Sequence, residues 1–228
     1  GAAGDAAAVG LVIGQEFEHR WGMFLPPAAG LLLQGDNGVC GREFHWNFKV
    51  DGQGSSMEIA DWVGTGPATW IPTAFTTINF NTDIPGSVWS YPDLYLMGYV
   101  SPSEMDAGMA EFRYMNTAAC FNFEDYFGVI TPLTSADIIA SAGPRVPAAS
   151  TSQKDFKTAW VMIHLPGDAP SAAELAKATG ILEQHTVDWD HSTLGRGTMD
   201  NSLFLDLDCD GVPDMLGCNE ADLAAPFG

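Results

Sequence analysis

Residues 28–90 restrict the fold more than any other part of the chain, because glycine, asparagine, aspartate and threonine recur throughout them. These residue types favour turns and loops, so the region leaves room only for short strands, such as the strand-like run REFHWNFKV (residues 42–50). Helical patterns lie on both sides of it, and FKTAWVMIHL (residues 156–165) alternates like a buried strand. We therefore expect an α+β domain over about residues 1–200.

The first helix is predicted from Ala6 to about Phe24, because Asp5 can cap its start and a pair of prolines, Pro26 and Pro27, cannot continue it. Gln15 and His19 are four residues apart and share one face. A second face carries an apolar stripe of Val9, Ile13, Phe17 and Trp21.

The stretch QEFEH on this helix differs by one residue from H-E-x-x-H, the helical motif of zinc peptidases. In that motif two histidines bind one Zn²⁺, and the glutamate takes a proton from the metal-bound water. Glu16 and His19 keep the base and second-ligand positions, whereas Gln15 replaces the first ligand. A neutral amide oxygen is a poorer zinc donor than imidazole, so we expect weakened zinc affinity. Taken alone, the pattern also fits an ordinary helix with a partly buried histidine and a surface glutamate.

Several segments together resemble a family of secreted bacterial, metzincin-like zinc metallopeptidases. In that family an H-E-x-x-H-R-W-type helix is followed by an H-W segment, a D-L-Y-L-M-G turn and a terminal strand–helix unit. The likeness covers most of residues 9–203, and it implies a metzincin-like fold and zinc-dependent hydrolysis of a protein or peptide. The segments that carry it are EFEHRWG, FHWNFKVDGQGSSMEIADW, SYPDLYLMGYVSPSEM, DFKTAWVMIHLPGDAPSAAEL and GRGTMDNSL.

The resemblance implies a role for individual residues. Glu16 corresponds to the general base, His19 to a zinc ligand, and Met97 to the methionine turn beneath the metal. His45 is our expected third ligand. Asp93 is the alternative, since a carboxylate also binds zinc. Asp93 could instead cap the turn, and His45 could be an ordinary strand histidine.

The chain departs from the family pattern at Gln15, and Phe24 and Leu25 lie where a third histidine is usual. Three explanations remain open: a natural pseudopeptidase, an engineered knock-out, or a weak metal site formed by His19, His45 and an oxygen ligand. A zinc-peptidase helix normally packs on preceding strands, but almost nothing precedes this one. We therefore expect either a processed fragment or N-terminal strands supplied from elsewhere.

Further elements are predicted nearer the C-terminus. The segment SYPDLYLMGYVSPSEM is expected to make a tight turn into a short helix around Ser103–Ala107, and TSADIIAS should start another helix. Ser171 and Glu174 form a capping box at the start of an amphipathic helix through SAAELAKATGILEQHTVDW. We expect His185 and His191, at or beyond the end of this exposed helix, to be solvated.

Charge limits the class of partner. The chain has a net charge of −20, from 29 acidic and 9 basic residues. Such a surface repels phosphate backbones and favours divalent cations, so no nucleic acid is expected.

No apolar run reaches the roughly 18 residues of a membrane span. The first ten residues do not have the features of a signal peptide, which a mature secreted chain would have lost. We expect a secreted or cell-surface protein.

Four cysteines in an acidic, extracellular chain indicate two disulfides. Three pairings are possible. We favour Cys209–Cys218, which are close in sequence, and hence Cys40–Cys120. The alternative is a set of buried free thiols.

Residues 201–228 have a different character from the rest of the chain. Their sequence DLDCDGVPD follows the pattern D-x-D-x-D-G-x-x-D, in which alternating carboxylates converge on one cation and Gly211 allows a sharp turn. No glutamate stands at the twelfth position of the loop, where Gly217 lies, so a full EF-hand is not indicated. The segment instead resembles thrombospondin type 3 calcium repeats. The expected calcium ligands are Asp206, Asp208, Asp210, the Val212 carbonyl and Asp214.

Two classes of function fit these observations. The first is a secreted metallopeptidase-like protein with an impaired zinc site. The second is a non-catalytic, calcium-stabilised extracellular structural, filament or adhesive protein. The expected partner is a protein or peptide, and self-assembly or association with a missing N-terminal portion is the alternative.

We predict that one Ca²⁺ is bound by Asp206, Asp208, Asp210 and Asp214 at oxygen distances of about 2.3–2.6 Å. A structure determined in calcium tests this directly. Side chains that all point into solvent under those conditions would contradict the prediction.

Overall fold

The computed structural model describes residues 13–22, 24–27, 31–35, 44–55, 57, 59, 61–72, 89–119, 124–160, 165 and 168–201. These residues form a mixed α/β arrangement with three small sheets, compatible with the expected α+β class. Within them, no helix is long and apolar enough to cross a membrane. The helices are α1 (residues 13–18), α2 (Tyr91–Met97), α3 (Pro102–Gly108), α4 (Ser135–Ala142) and α5 (Ala172–Ser192). The strands are β1 (Val50–Asp51), β2 (Trp62–Gly66), β3 (Thr69–Pro72), β4 (Arg113–Asn116), β5 (Val129–Pro132), β6 (Asp155–Lys157) and β7 (Thr198–Asp200).

The sheets are short, as the loop-rich composition predicts. Strand β4 lies between β1 and β5 in an antiparallel sheet, and β2 and β3 form a hairpin. Strands β6 and β7 are parallel, and α5 makes the crossover connection that parallel strands require. The two strand-like runs are in strands only in part: among their described residues, Phe156 and Lys157 are in β6 and Val50 is in β1.

The DLYLMG segment is a helix rather than the predicted tight turn. Ser90 accepts a hydrogen bond from the Asp93 amide, and Asp93 reaches back to the Ser90 amide, so the two form a capping box at the start of α2. Pro92 lies in the first turn, where its fixed φ and missing N–H are tolerated. Gly98 ends the helix with φ +87° and ψ 22°, a left-handed conformation that favours glycine.

Helix α1 ends earlier than predicted, at residue 18 rather than near Phe24. The last turn tightens into bonds from Arg20 N to Phe17 O and from Trp21 N to Glu18 O. The bond from His19 N to Gln15 O, at 3.2 Å, still places these two residues one turn apart. The predicted start at Asp5 lies outside the described residues.

Trp189 of α5 lies in the larger of the two core clusters among the described residues. Its indole ring makes an edge contact with Trp89 at 4.8 Å between ring centres, and its Nε1–H donates to Tyr99 Oη at 3.2 Å. Phe17 of α1 and Phe156 of β6 pack against the same ring. One face of the C-terminal half of α5 is therefore buried, and it ties α1 to the end of α2.

We predict that Gly98→Ala destabilises the fold more than Gly195→Ala. A Cβ at either position would be in a left-handed conformation, which costs roughly 1–2 kcal/mol. At Gly98 that Cβ would also lie 2.4 Å from Cζ of Arg145, whereas at Gly195 nothing lies within 4 Å. Denaturant unfolding of both variants measures the difference, and equal losses would contradict the proposed steric term.

Candidate functional site

Three side chains from the degenerate motif and the FHW segment converge. The Gln15 amide nitrogen donates to Nε2 of His45 at 2.8 Å, and the rings of His19 and His45 meet edge-on with 4.8 Å between their centres. Two imidazoles on one tetrahedral zinc, at Zn–N distances of about 2.0–2.1 Å, have ring centres roughly 5 Å apart. The spacing of the two histidines is therefore compatible with a shared metal ion, although binding itself stays a prediction.

The backbone around His45 is fixed by pairing with a second loop. Gly35 N donates to His45 O at 2.8 Å, and Asn47 N donates to Leu33 O at 2.8 Å. Trp46, the next residue after His45, donates its amide to Met57 O at 3.0 Å. His45 thus projects from a segment with backbone partners on two sides, and its own side chain is buried.

Asp93, the alternative zinc ligand, is fully buried. Both of its carboxylate oxygens accept hydrogen bonds from other groups. Trp46 Nε1–H donates to its Oδ1 at 2.7 Å, and the Ser90 amide and hydroxyl donate to its Oδ2 at 3.0 and 2.7 Å. Burial raises the pKa of Asp93, while hydrogen bonds from Ser55, Trp46 and Ser90 oppose that shift. This geometry favours the capping role for Asp93 and favours His45 as the partner of His19.

Met97 is the last residue of α2 and is buried in the same core cluster as Trp46. Arg145, from the loop after α4, donates to the carbonyls of Leu96 and Met97 at 2.7 and 2.8 Å. A cation at a helix C-terminus satisfies carbonyls that have no partner within the helix. Arg145 therefore fixes the backbone of Met97, and a role for this methionine beneath a metal stays a prediction.

The two glutamates of α1 differ in exposure. Glu16, the expected general base, is exposed beside Gln15. Glu18 is only 1% exposed, and sequence reasoning overlooked it. Its spacing of three residues from Gln15 was the one available signal, because positions i and i+3 are neighbours on a helix.

His185 is buried, so the prediction that it is solvated is wrong. Helix α5 continues to Ser192, and His185 lies on its buried face with its ring stacked on Phe17 at 5.8 Å. Asn201 Nδ2 donates to His185 Nδ1 at 3.0 Å, and His185 Nε2 has no hydrogen-bond partner within the described part of the chain. Burial lowers the pKa of His185. His191 is exposed, as expected.

Among the described residues, no group of three or more histidine, cysteine, aspartate or glutamate side chains is arranged to hold a metal ion. The histidine pair with Gln15 supplies two such side chains and one amide. The predicted calcium and disulfide residues lie outside the described ranges, and both predictions remain open. They are Asp206, Asp208, Asp210, Val212 and Asp214 for calcium, and Cys40, Cys120, Cys209 and Cys218 for the disulfides.

Comparison of the chain with protein-family models, with curated proteins and with solved structures finds no match. The metallopeptidase hypothesis therefore depends on the sequence segments and on the geometry around His45.

We predict that His185 makes the fold less stable as the pH falls below about 6.5. In the unfolded chain the imidazole of His185 takes up a proton near the ordinary pKa of 6.5. In the folded chain it is buried and takes up a proton only at lower pH. The unfolded chain therefore binds more protons in this window, and the free energy of unfolding falls by up to about 1.4 kcal/mol per pH unit.

The test compares His185→Asn, which keeps an acceptor for Asn201, with the exposed control His191→Asn. Burial also raises the pKa of Asp51 to about 6 and the pKa of Asp188. These acids act in the opposite direction, so the difference between proteins is the informative quantity. Denaturant unfolding at several pH values should show that the free energy of unfolding falls less at acid pH in His185→Asn, and in that variant alone. An unchanged pH slope would contradict the prediction.

Proposed function

We propose that the chain is a secreted metallopeptidase-like protein with a metzincin-like fold and a degenerate zinc site, and that it is a catalytically impaired pseudopeptidase. The observation that carries this proposal is the 2.8 Å hydrogen bond between Gln15 and Nε2 of His45, with the His19 ring alongside. Gln15 is thus hydrogen-bonded to the nitrogen of His45 to which a zinc ion would bind.

The loss of activity follows from the number of ligands. A catalytic zinc has about three protein ligands and an open position for water. His19 and His45 supply two strong donors, whereas Gln15 presents a neutral amide. A metal would also have to displace the hydrogen bond between Gln15 and His45. Glu16 would then have no well-activated water from which to take a proton.

The remaining parts of the proposal concern the surroundings of this site. The acidic tail binds calcium, two disulfides stabilise the chain, and the protein acts outside the cell on a protein or peptide partner. The net charge of −20 supports a role near divalent cations rather than near nucleic acid.

A second candidate is a non-catalytic, calcium-stabilised structural, filament or adhesive protein. The D-x-D-x-D-G-x-x-D pattern of the tail favours it, because that pattern needs no zinc chemistry. Metal analysis of the purified protein separates the two candidates: stoichiometric zinc supports a residual peptidase site, and calcium alone supports the structural role.

We predict that Gln15→His raises zinc affinity, because it supplies a third imidazole beside His19 and His45. The gain should exceed the roughly 10- to 100-fold that even a supporting residue contributes to a metal site. Zinc titration by calorimetry measures the affinity, and cleavage of an unstructured protein measures hydrolysis. The unmodified chain should show little or no cleavage.

The matched control is Gln153→His, which adds a histidine at an exposed position on another loop. Robust, chelator-sensitive cleavage by the unmodified chain would overturn the pseudopeptidase proposal. Equal zinc affinity in Gln15→His and Gln153→His would mean that α1 does not face a metal site, and would favour the structural candidate.

A further inference from the structure

A cavity of about 370 Å³ lies between the C-terminal end of α2, the start of α3 and the loop after α4. Its walls are formed by tyrosine, proline, valine and alanine side chains together with four charged residues. The charged residues are Glu104, Arg145, Lys154 and Arg196. The cavity is near the lower end of the roughly 300–1,000 Å³ typical of small-molecule sites.

The charge of this cavity is opposite to that of the chain. Three basic residues and one acidic residue line it, whereas the chain as a whole has 29 acidic and 9 basic residues. An anion approaching the protein would be repelled by most of the surface and attracted here.

The basic residues differ in how far they are already engaged. Arg145 is committed to the carbonyls at the end of α2. Arg196 Nη1 lies 3.0 Å from Oε1 of Glu104, and Glu104 also caps α3 through the Ser101 amide at 2.8 Å.

Lys154 is held in place by its backbone, because its carbonyl accepts hydrogen bonds from Tyr99 Oη and from Thr198 N. Its side chain is partly exposed, and its ammonium group has no ion-pair partner in the described part of the chain. Lys154 is therefore the cation that is available to a ligand, with Arg196 beside the same cavity.

We propose that this cavity binds a small carboxylate with a compact apolar body. Lys154 would receive the carboxylate, Arg196 would add a second cation, and the tyrosine, proline and alanine walls would contact the apolar part. One uncommitted cation and one paired cation suit a single negative charge. This proposal does not depend on the zinc site or on the proposed function. The carboxylate could belong to a free acid or to the C-terminus of a peptide.

The test measures the binding of two matched pairs of probes to the full chain by calorimetry. N-acetyl-leucine is compared with N-acetyl-leucinamide, and a short peptide ending in leucine is compared with its C-terminal amide. We expect saturable binding of a carboxylate form and at least about tenfold weaker binding of its amide. Binding of N-acetyl-leucine would identify a free acid as the source of the carboxylate. Binding of the peptide alone would identify a peptide C-terminus.

The variants then assign the binding to Lys154. Lys154→Gln should weaken it at least about tenfold, Lys154→Arg should retain it, and Lys177→Gln, an exposed position on α5, should leave it unchanged. If Lys154→Gln fails to fold, Lys154→Arg and the amide probes still decide. No saturable binding of either carboxylate up to about 10 mM, equal binding of the amides, or equal loss in Lys177→Gln would overturn the proposal.

Discussion

The buried carboxylate of Asp93 is the interaction on which the candidate site depends. One oxygen accepts from Trp46, 47 positions away in the sequence, and the other closes the capping box with Ser90. The same side chain therefore fixes where α2 begins and where the residue after His45 lies. A buried polar group that loses its partner costs about 1–3 kcal/mol. Breaking the hydrogen bond between Trp46 and Asp93, which joins the His45 segment to α2, is therefore unfavourable.

The opposite end of α2 is fixed from a different part of the chain. The helix has no basic residue in its own last turn, and Arg145 supplies the missing charge from a loop nearly fifty positions further on. Gly98 allows the close approach of that guanidinium. A seven-residue helix is too short to be stable by itself, so these contacts at its two ends hold it in place.

Sequence patterns predicted the elements whose signals are local. The capping box of Ser171 and Glu174 located the start of α5, and the start of α4 and the position of α3 were also anticipated. The equivalent pair Ser90 and Asp93 also forms a capping box, although this segment was expected to make a tight turn.

Contacts between distant segments could not be predicted in the same way. The resemblance suggested that His45 lies near His19, but no local pattern shows that Gln15 bonds to it across 30 positions. The burial of His185 depends on Phe17 and Asn201, which no helical periodicity within α5 reveals.

The partnership of Gln15 with His45 has a consequence for the tautomer of His45. A glutamine amide presents a donor and an acceptor on one carbon. The N–H group of Gln15 donates to Nε2 of His45, so this nitrogen is an acceptor and the ring hydrogen of the neutral imidazole lies on Nδ1. A half-turn of the glutamine's terminal torsion would present the amide oxygen instead, and the hydrogen would then have to lie on Nε2. The side chain at position 15 thus selects which nitrogen of His45 offers a lone pair.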